Sequence, residues 1–155
     1  MSERPLWAPW RIEYITGPKS DECIFCQPDP AHLIERSERC ITILNAYPYA
    51  PGHVMVAPIR HVAELDELDE AELLALMQHA QRGIAAQRAA MNPDGFNVGL
   101  NLGKVAGAGI ADHLHLHVVP RWEGDNNFMP VLADTHVIPQ ALEETRKALL
   151  EALAR

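Results

Sequence analysis

No stretch of this 155-residue chain approaches the roughly 20 consecutive apolar residues that a bilayer-spanning helix needs. Its first residues, Met1-Ser2-Glu3-Arg4-Pro5-Leu6-Trp7, lack the apolar core of a secretory signal. A cytoplasmic protein with no membrane partner is expected. Runs of Lys and Arg are missing too, and the net charge is −8. That argues against a large basic footprint, so no nucleic-acid partner is expected. A phosphorylated small molecule remains compatible, because the local field of a cleft can oppose the net sign. Cysteine is scarce, and an odd count of three does not make a disulfide framework. Internal repeats and low-complexity segments are absent. The length suits one unit with its own core, and residues 1–155 are read as a single domain.

What the chain does have is a row of alternating histidines, His113-Leu114-His115-Leu116-His117-Val118-Val119. In a strand, successive side chains point to opposite faces. This spacing therefore puts three imidazoles on one face and Leu114, Leu116 and Val118 on the other. A helix would smear the same residues over a wide arc. Imidazoles lined up beside a buried aliphatic row suit metal binding, nucleophilic catalysis, or both.

The first twenty residues read as an irregular arm, broken by Pro5, Pro9, Gly17 and Pro18. Its Trp7, Trp10 and Tyr14 either cover core or a subunit interface, or border a ligand pocket. Strands are expected at 39–45, at 53–57 after the Pro51-Gly52 turn, at 95–102 and at 114–121. A helix is expected over 70–90, with Leu73, Met77, Ala80 and Ile84 on its apolar stripe. Asp69 and Glu72 have capping-box spacing at its start, and Asn92-Pro93 stops it. A second helix, 139–155, opens at Pro139 and carries Leu142, Leu149, Leu150 and Leu153. The pattern is α+β, a largely antiparallel sheet with one long helix and a C-terminal helix.

Cys23-Ile24-Phe25-Cys26 is a C-x2-C pair, a common half-site for tetrahedral zinc. Its redox rival must open a helix, which Gln27-Pro28-Asp29-Pro30 blocks. The bland alternative is a pair of free core cysteines. Candidates for the other two ligands are His61 and His113. Cys40, alone in an apolar strand, reads as core. All three row histidines could serve one metal, but that leaves the cysteines unexplained. A division of labour fits better: the first imidazole serves zinc, the second does chemistry, and the third supports it. Just upstream lies Asn101-Leu102-Gly103-Lys104-Val105-Ala106-Gly107-Ala108-Gly109. It lacks the Walker A order, yet glycines let backbone N–H groups converge on an anion.

The histidine row resembles the defining motif of the histidine-triad (HIT) superfamily of nucleotidyl hydrolases and transferases. Leu44-Asn45 followed by Pro51-Gly52-His53-Val54 is similar to that family's ribose-binding strand and its upstream fourth histidine. Cys23-Ile-Phe-Cys26 opens many bacterial members. Trp7-Ala8-Pro9-Trp10-Arg11, the 101–109 loop, and Val119-Pro120-Arg121-Trp122 with Gly124-Asp125 and Asn127-Phe128 resemble the diadenosine-tetraphosphate hydrolase and phosphorylase branch. The short phosphoramidase branch is less similar. One departure stands out: bacterial phosphorylases tend to carry Gly-Gly-Ser in the loop, and Gly107-Ala108-Gly109 has no hydroxyl to hold an attacking phosphate.

The resemblance implies a HIT-like fold and a homodimer that uses the long helix. It implies His115 as nucleophile, with His117 and His53 positioning phosphate oxygens around it. Asn45 would bind ribose, and Asn101 with Gly107, Ala108 and Gly109 would bind phosphate, alongside His117. Cys23, Cys26, His61 and His113 would hold one structural zinc per chain. The expected activity is hydrolysis of dinucleoside polyphosphates through a nucleotidyl-histidine. The alternatives are phosphorolysis, a nucleoside phosphoramidase, a non-catalytic nucleotide-binding protein, and a metallohydrolase using all three row histidines.

Overall fold

A computed structural model of the chain describes residues 22–126 and 141–155. Trp7, Trp10 and Tyr14, the Asn127-Phe128 pair and the Pro139 helix start lie outside the described residues. Five strands form one antiparallel sheet: β1 Leu33–Arg36, β2 Cys40–Leu44, β3 Val54–Pro58, β4 Gly95–Leu100 and β5 Leu116–Arg121. Their spatial order is β1-β2-β3-β5-β4, with β5 inserted between β3 and β4. Helix α1, Glu70–Met91, connects β3 to β4, and α2, Leu142–Leu153, packs against α1 and β1. This is the expected α+β architecture. No helix among the described residues is long and apolar enough to cross a membrane.

The sheet has two unlike faces because side chains alternate along each strand. Leu44, Val54, Val56, Leu116 and Val118 join Leu76, Ala80 and Ala86 of α1 and Leu149 of α2 in the main core. Leu114, the first of the aliphatic row, joins them. On the opposite face Ile41, Ile43, Met55 and Ala57 pack with Phe25 in a smaller cluster. Met55 pairs with His117 across β3 and β5, so His53 and His117 share this second face.

Three details differ from expectation. The strand begins at Leu116, so His113, Leu114 and His115 precede it. The reason is the partner strand: β3 ends at Pro58, which has no N–H to donate. Leu114 N–H instead donates to the Val62 carbonyl at 2.7 Å. Second, β1 has no counterpart in the sequence reading. Third, the buried face of α1 matches only part of the expected stripe, Ala80 being buried and Ile84 packing against the core. Leu73 and Met77 are exposed, while Leu76, His79, Ala80, Gly83 and Gln87 are buried. Small Ala80 and Gly83 let the helix approach the sheet, with Val54 Cγ2 lying 3.6 Å from where a Gly83 Cβ would sit.

Polar groups on that face are individually held. His79 bonds Thr42 Oγ1 at 2.9 Å and Ser37 Oγ at 3.0 Å. Gln87 uses its amide N–H groups, but its buried Oε1 has no partner among the described residues. Such an orphan costs about 1–3 kcal/mol. The Asp69–Glu72 capping box forms as expected, and Asn92 ends the helix in a left-handed conformation at φ 48°.

Candidate functional site

The chemistry-bearing residues gather on the sheet's second face, where two histidines, His53 and His117, form a directed chain. Tyr49 N–H donates to His53 Nδ1 at 3.1 Å, so a neutral His53 carries its proton on Nε2. That N–H meets His117 Nδ1 at 2.9 Å, which places a neutral His117's proton on Nε2. The Asn45 side-chain amide also faces His53, with Nδ2 3.4 Å from Nδ1, while its Oδ1 accepts from Tyr47 N–H at 2.9 Å. Separately, His115 Nδ1 lies 2.8 Å from the His113 carbonyl. A carbonyl only accepts, so His115 holds its proton on Nδ1 and keeps the Nε2 lone pair. Burial pushes His115 below the ordinary histidine value, against the opposing pull of that carbonyl bond. The ring is therefore biased toward neutrality.

Two aromatic residues that sequence reasoning passed over shape this row. Phe25 is fully buried, with its ring centroid 5.0 Å from His115 and 5.1 Å from His113. Tyr49 stacks on His53 at 5.0 Å and 19°. Their signals were local: Phe25 lies inside the C-x2-C pair, and Tyr49 in the Tyr-Pro-Tyr segment between β2 and β3. Phe25 carried no spacing that pointed at histidines far along the chain, and Tyr49 reaches His53 across a turn, where no regular period applies.

His113 takes a different direction from the other two. Its Nε2–H donates to the Pro58 carbonyl at 2.8 Å, leaving the Nδ1 lone pair free to coordinate. Nδ1 lies 3.2 Å from Cys23 Sγ, 3.6 Å from Cys26 Sγ and 3.1 Å from His61 Nδ1. Cys26 Sγ lies 3.3 Å from His61 Nδ1. All four donor atoms fall within 4.8 Å of one another. Tetrahedral zinc bonds to sulfur and nitrogen give donor–donor separations of about 3.3–3.8 Å, so this set fits a zinc-sized cation closely. Burial and the adjoining Cys23 thiol push Cys26 above its ordinary value, a tendency that a bound cation reverses. His61 is braced by its neighbours. Arg60 pairs with Glu72 at 2.8 Å, and Glu67 accepts from the Ala63 and Glu64 N–H groups. The Arg60 guanidinium and the Asp69 N–H hold the Glu72 carboxyl down at about 2. All four expected ligands are thus brought together, and the row histidines do not converge on one metal.

A cavity of about 310 Å³ opens beside His115 and His117. Asn45, Gly107 and Gly109 line it, with Ile24, Ile43, Tyr47, Tyr49 and Ile110 supplying apolar wall. Gly107 holds φ +90°, a conformation that suits glycine and turns the loop back toward the histidines. Ala108 is not among the lining residues. Asn101 lies elsewhere: it lines a second, more open groove with Tyr49, Asn97, His117 and Arg121. His117 and Tyr49 are shared between the two spaces. Arg121 is held by Asp125 at 2.6 Å and Asn97 at 2.8 Å, and its guanidinium lowers the Asp125 carboxyl to about 2.

The HIT domain family model matches residues 27–124. A Mycobacterium tuberculosis protein named AP-4-A phosphorylase is 40% identical over 97% of this chain and 84% of its own. A zinc-bound histidine triad family protein from Mycobacterium smegmatis superposes with a TM-score of 0.70 at 31% identity, covering 86% of this chain and 94% of that one. A hypothetical histidine triad nucleotide-binding protein from Sulfolobus tokodaii also gives 0.70, at 28% identity over 85% and 92% of the two chains.

Proposed function

The chain belongs to the HIT domain family, and from that premise we propose that it is a nucleotidyl hydrolase cleaving dinucleoside polyphosphates, such as diadenosine tetraphosphate, through a covalent intermediate on His115. The observation that carries this reading is the 2.8 Å tie from His115 Nδ1 to the His113 carbonyl. It fixes the tautomer that a nitrogen nucleophile needs, in a ring that borders the cavity. In the first step Nε2 bonds to the α-phosphorus, and the anhydride P–O bond breaks with its electron pair leaving on the polyphosphate. In the second, water bonds to that phosphorus and releases a proton to solvent, and the P–N bond breaks, returning its electron pair to Nε2. Diadenosine tetraphosphate and water thus give AMP and ATP.

The remaining residues take supporting roles in this reading. His117, its proton on Nε2, donates to a phosphate oxygen as charge develops, and His53 holds His117 in that tautomer. Asn45 binds ribose hydroxyls. The Gly107-Ala108-Gly109 segment flanks the reacting phosphate. The Gly107 and Ala108 N–H groups already donate to the Lys104 and Gly103 carbonyls, so the Gly109 N–H is the backbone donor this reading offers to phosphate, and Asn101 holds the leaving polyphosphate in the second groove. Cys23, Cys26, His61 and His113 hold one zinc, whose contribution is structural because four protein ligands leave no open position for water.

A second reading, phosphorolysis, is favoured by the relative named AP-4-A phosphorylase. Against it stands the Gly107-Ala108-Gly109 segment, which offers no side-chain hydroxyl to an incoming phosphate. Incubation with diadenosine tetraphosphate, with and without inorganic phosphate, separates the two. AMP plus ATP in both cases supports hydrolysis. ADP plus ATP only with phosphate makes the protein a phosphorylase. No product in either case overturns the nucleotidyl-histidine reading for this substrate.

A further inference from the structure

Gln87 is fully buried on α1, behind the sheet from the cavity. Its Nε2 donates to two backbone carbonyls, Gly52 at 2.8 Å and Val118 at 3.2 Å. Carbonyls only accept, so the NH₂ end of the amide must face them, and Oε1 is left in the core. Gly52 immediately precedes His53, and Val118 immediately follows His117. The imidazoles of these two histidines meet at 2.9 Å on the front of the sheet. One amide thus ties together, from behind, the backbones that carry the front pair. Met91, one turn further along α1, presses on the same turn. A Cβ on Gly52 would come within 2.5 Å of its sulfur, and Gly52 holds φ +80°, so the contact needs glycine.

We propose that Gln87 is a positioning residue for the His53–His117 pair, setting from the last turns of α1 the spacing and direction in which His117 presents its N–H to the cavity. Leucine or methionine would fill nearly the same volume without an orphaned oxygen. What the amide adds is a two-point hold on the turn that leads into β3 and on β5, one residue from each imidazole. Gln87 itself touches no reacting atom. The inference rests on the nucleotidyl-transfer reading for its kinetic consequence, but the hold on the two histidines is a structural claim of its own.

The test pairs kinetics with nitrogen-15 NMR of the imidazoles. Gln87→Leu is compared with Leu149→Ala, a core truncation remote from the pair. Gln87→Leu is expected to lower kcat for diadenosine tetraphosphate by about tenfold to a hundredfold, with KM within about threefold. It is also expected to displace the His53 and His117 ring signals. Leu149→Ala is expected to lower Tm while leaving kcat and those signals in place. Wild-type kcat and undisturbed imidazoles in Gln87→Leu overturn the proposal, as does an equal loss of kcat in Leu149→Ala. Should Gln87→Leu not fold, Gln87→Ser, with space for water, is read by the same criteria. On the wild type, couplings across the hydrogen bonds from the Gln87 amide to the Gly52 and Val118 carbonyls are expected, and their absence overturns the clamp without any variant. A wild type that cleaves nothing sinks the functional reading alone, since the NMR arms still decide the positioning role.

Discussion

At the scale of single residues, the three row histidines differ by what each ring's second nitrogen touches. His113 gives its Nε2–H to Pro58, His115 its Nδ1–H to a carbonyl two residues back, and His117 accepts at Nδ1 from His53. Only His115 is left with an Nε2 lone pair at the cavity, so its replacement should be the most damaging. His115→Asn, which keeps a polar side chain of smaller size, is expected to lower turnover by roughly 10⁴- to 10⁶-fold while nucleotide still binds. Turnover by stopped assay and nucleotide affinity by calorimetry check both halves, and near-normal turnover removes His115 as nucleophile. The alternation of the row was legible because a period of two has one structural meaning. The cysteine half-site and its candidates His61 and His113 were legible because coordination chemistry restricts the residue types. Phe25, Tyr49 and Gln87 were not, since Phe25 acts on residues more than eighty positions away, Gln87 on backbone atoms, and Tyr49 on a ring four positions on across a turn, where no regular period applies. Nothing in a side chain's identity announces such a contact. For Asn101 the motif position was legible, but its place in the neighbouring groove with Arg121 was not.

At the scale of elements, α1 shows how apolar content misleads about orientation. The expected stripe followed Leu73, Met77, Ala80 and Ile84, yet the buried face carries His79, Gly83 and Gln87 beside the expected Ala80. Two of these, His79 and Gln87, are polar and give no apolar signal, while β1 was missed because Leu33–Arg36 is only four residues with one buried side chain. His79 makes this orientation testable through pH. Ser37 Oγ donates to the Cys40 carbonyl, so His79 Nε2–H donates to Ser37 and Nδ1 accepts from Thr42. Burial pushes His79 below the ordinary histidine value, Glu35 opposes that, and Arg82 adds to it. The folded state therefore binds fewer protons than the unfolded one. Stability is full above the unfolded value of about 6.5 and falls as pH drops through it toward the folded value. His79→Gln, measured by urea denaturation between pH 8 and 5, is expected to flatten this slope; an unchanged slope assigns it to other groups. The 23–26 turn, the end of β3 and the segment before β5 meet at the four-donor cluster. One zinc per chain is expected by elemental analysis, and chelation is expected to lower Tm without stopping turnover outright, because the proposed nucleophile needs no metal. Careful preparations free of zinc would remove the four-ligand site.

At the scale of the molecule, the two sheet edges are treated differently. On the β1 side, α2 packs on the strand and Arg146 donates to the Leu33 carbonyl at 3.0 Å. The β4 edge ends the sheet, with Asn97, Val98 and Gly99 exposed. Such an edge is a template for pairing. Leu73, Leu74 and Met77 are also exposed, on the side of α1 turned away from the sheet. Two apolar or unpaired surfaces on one chain are what a two-fold dimer covers, since a symmetric interface buries each patch twice. A homodimer is therefore proposed, with sedimentation equilibrium expected to give twice the chain mass. Leu74→Glu with Met77→Glu places two like charges per subunit in the helix patch and is expected to raise the dissociation constant by at least about a hundredfold. A dimer untouched by this pair moves the interface to the β4 edge, where Val98→Arg becomes the discriminating change. Should each subunit's site be self-contained, a monomer of either variant is expected to retain nucleotide binding. Loss of binding on dissociation would mean that a second copy completes the site.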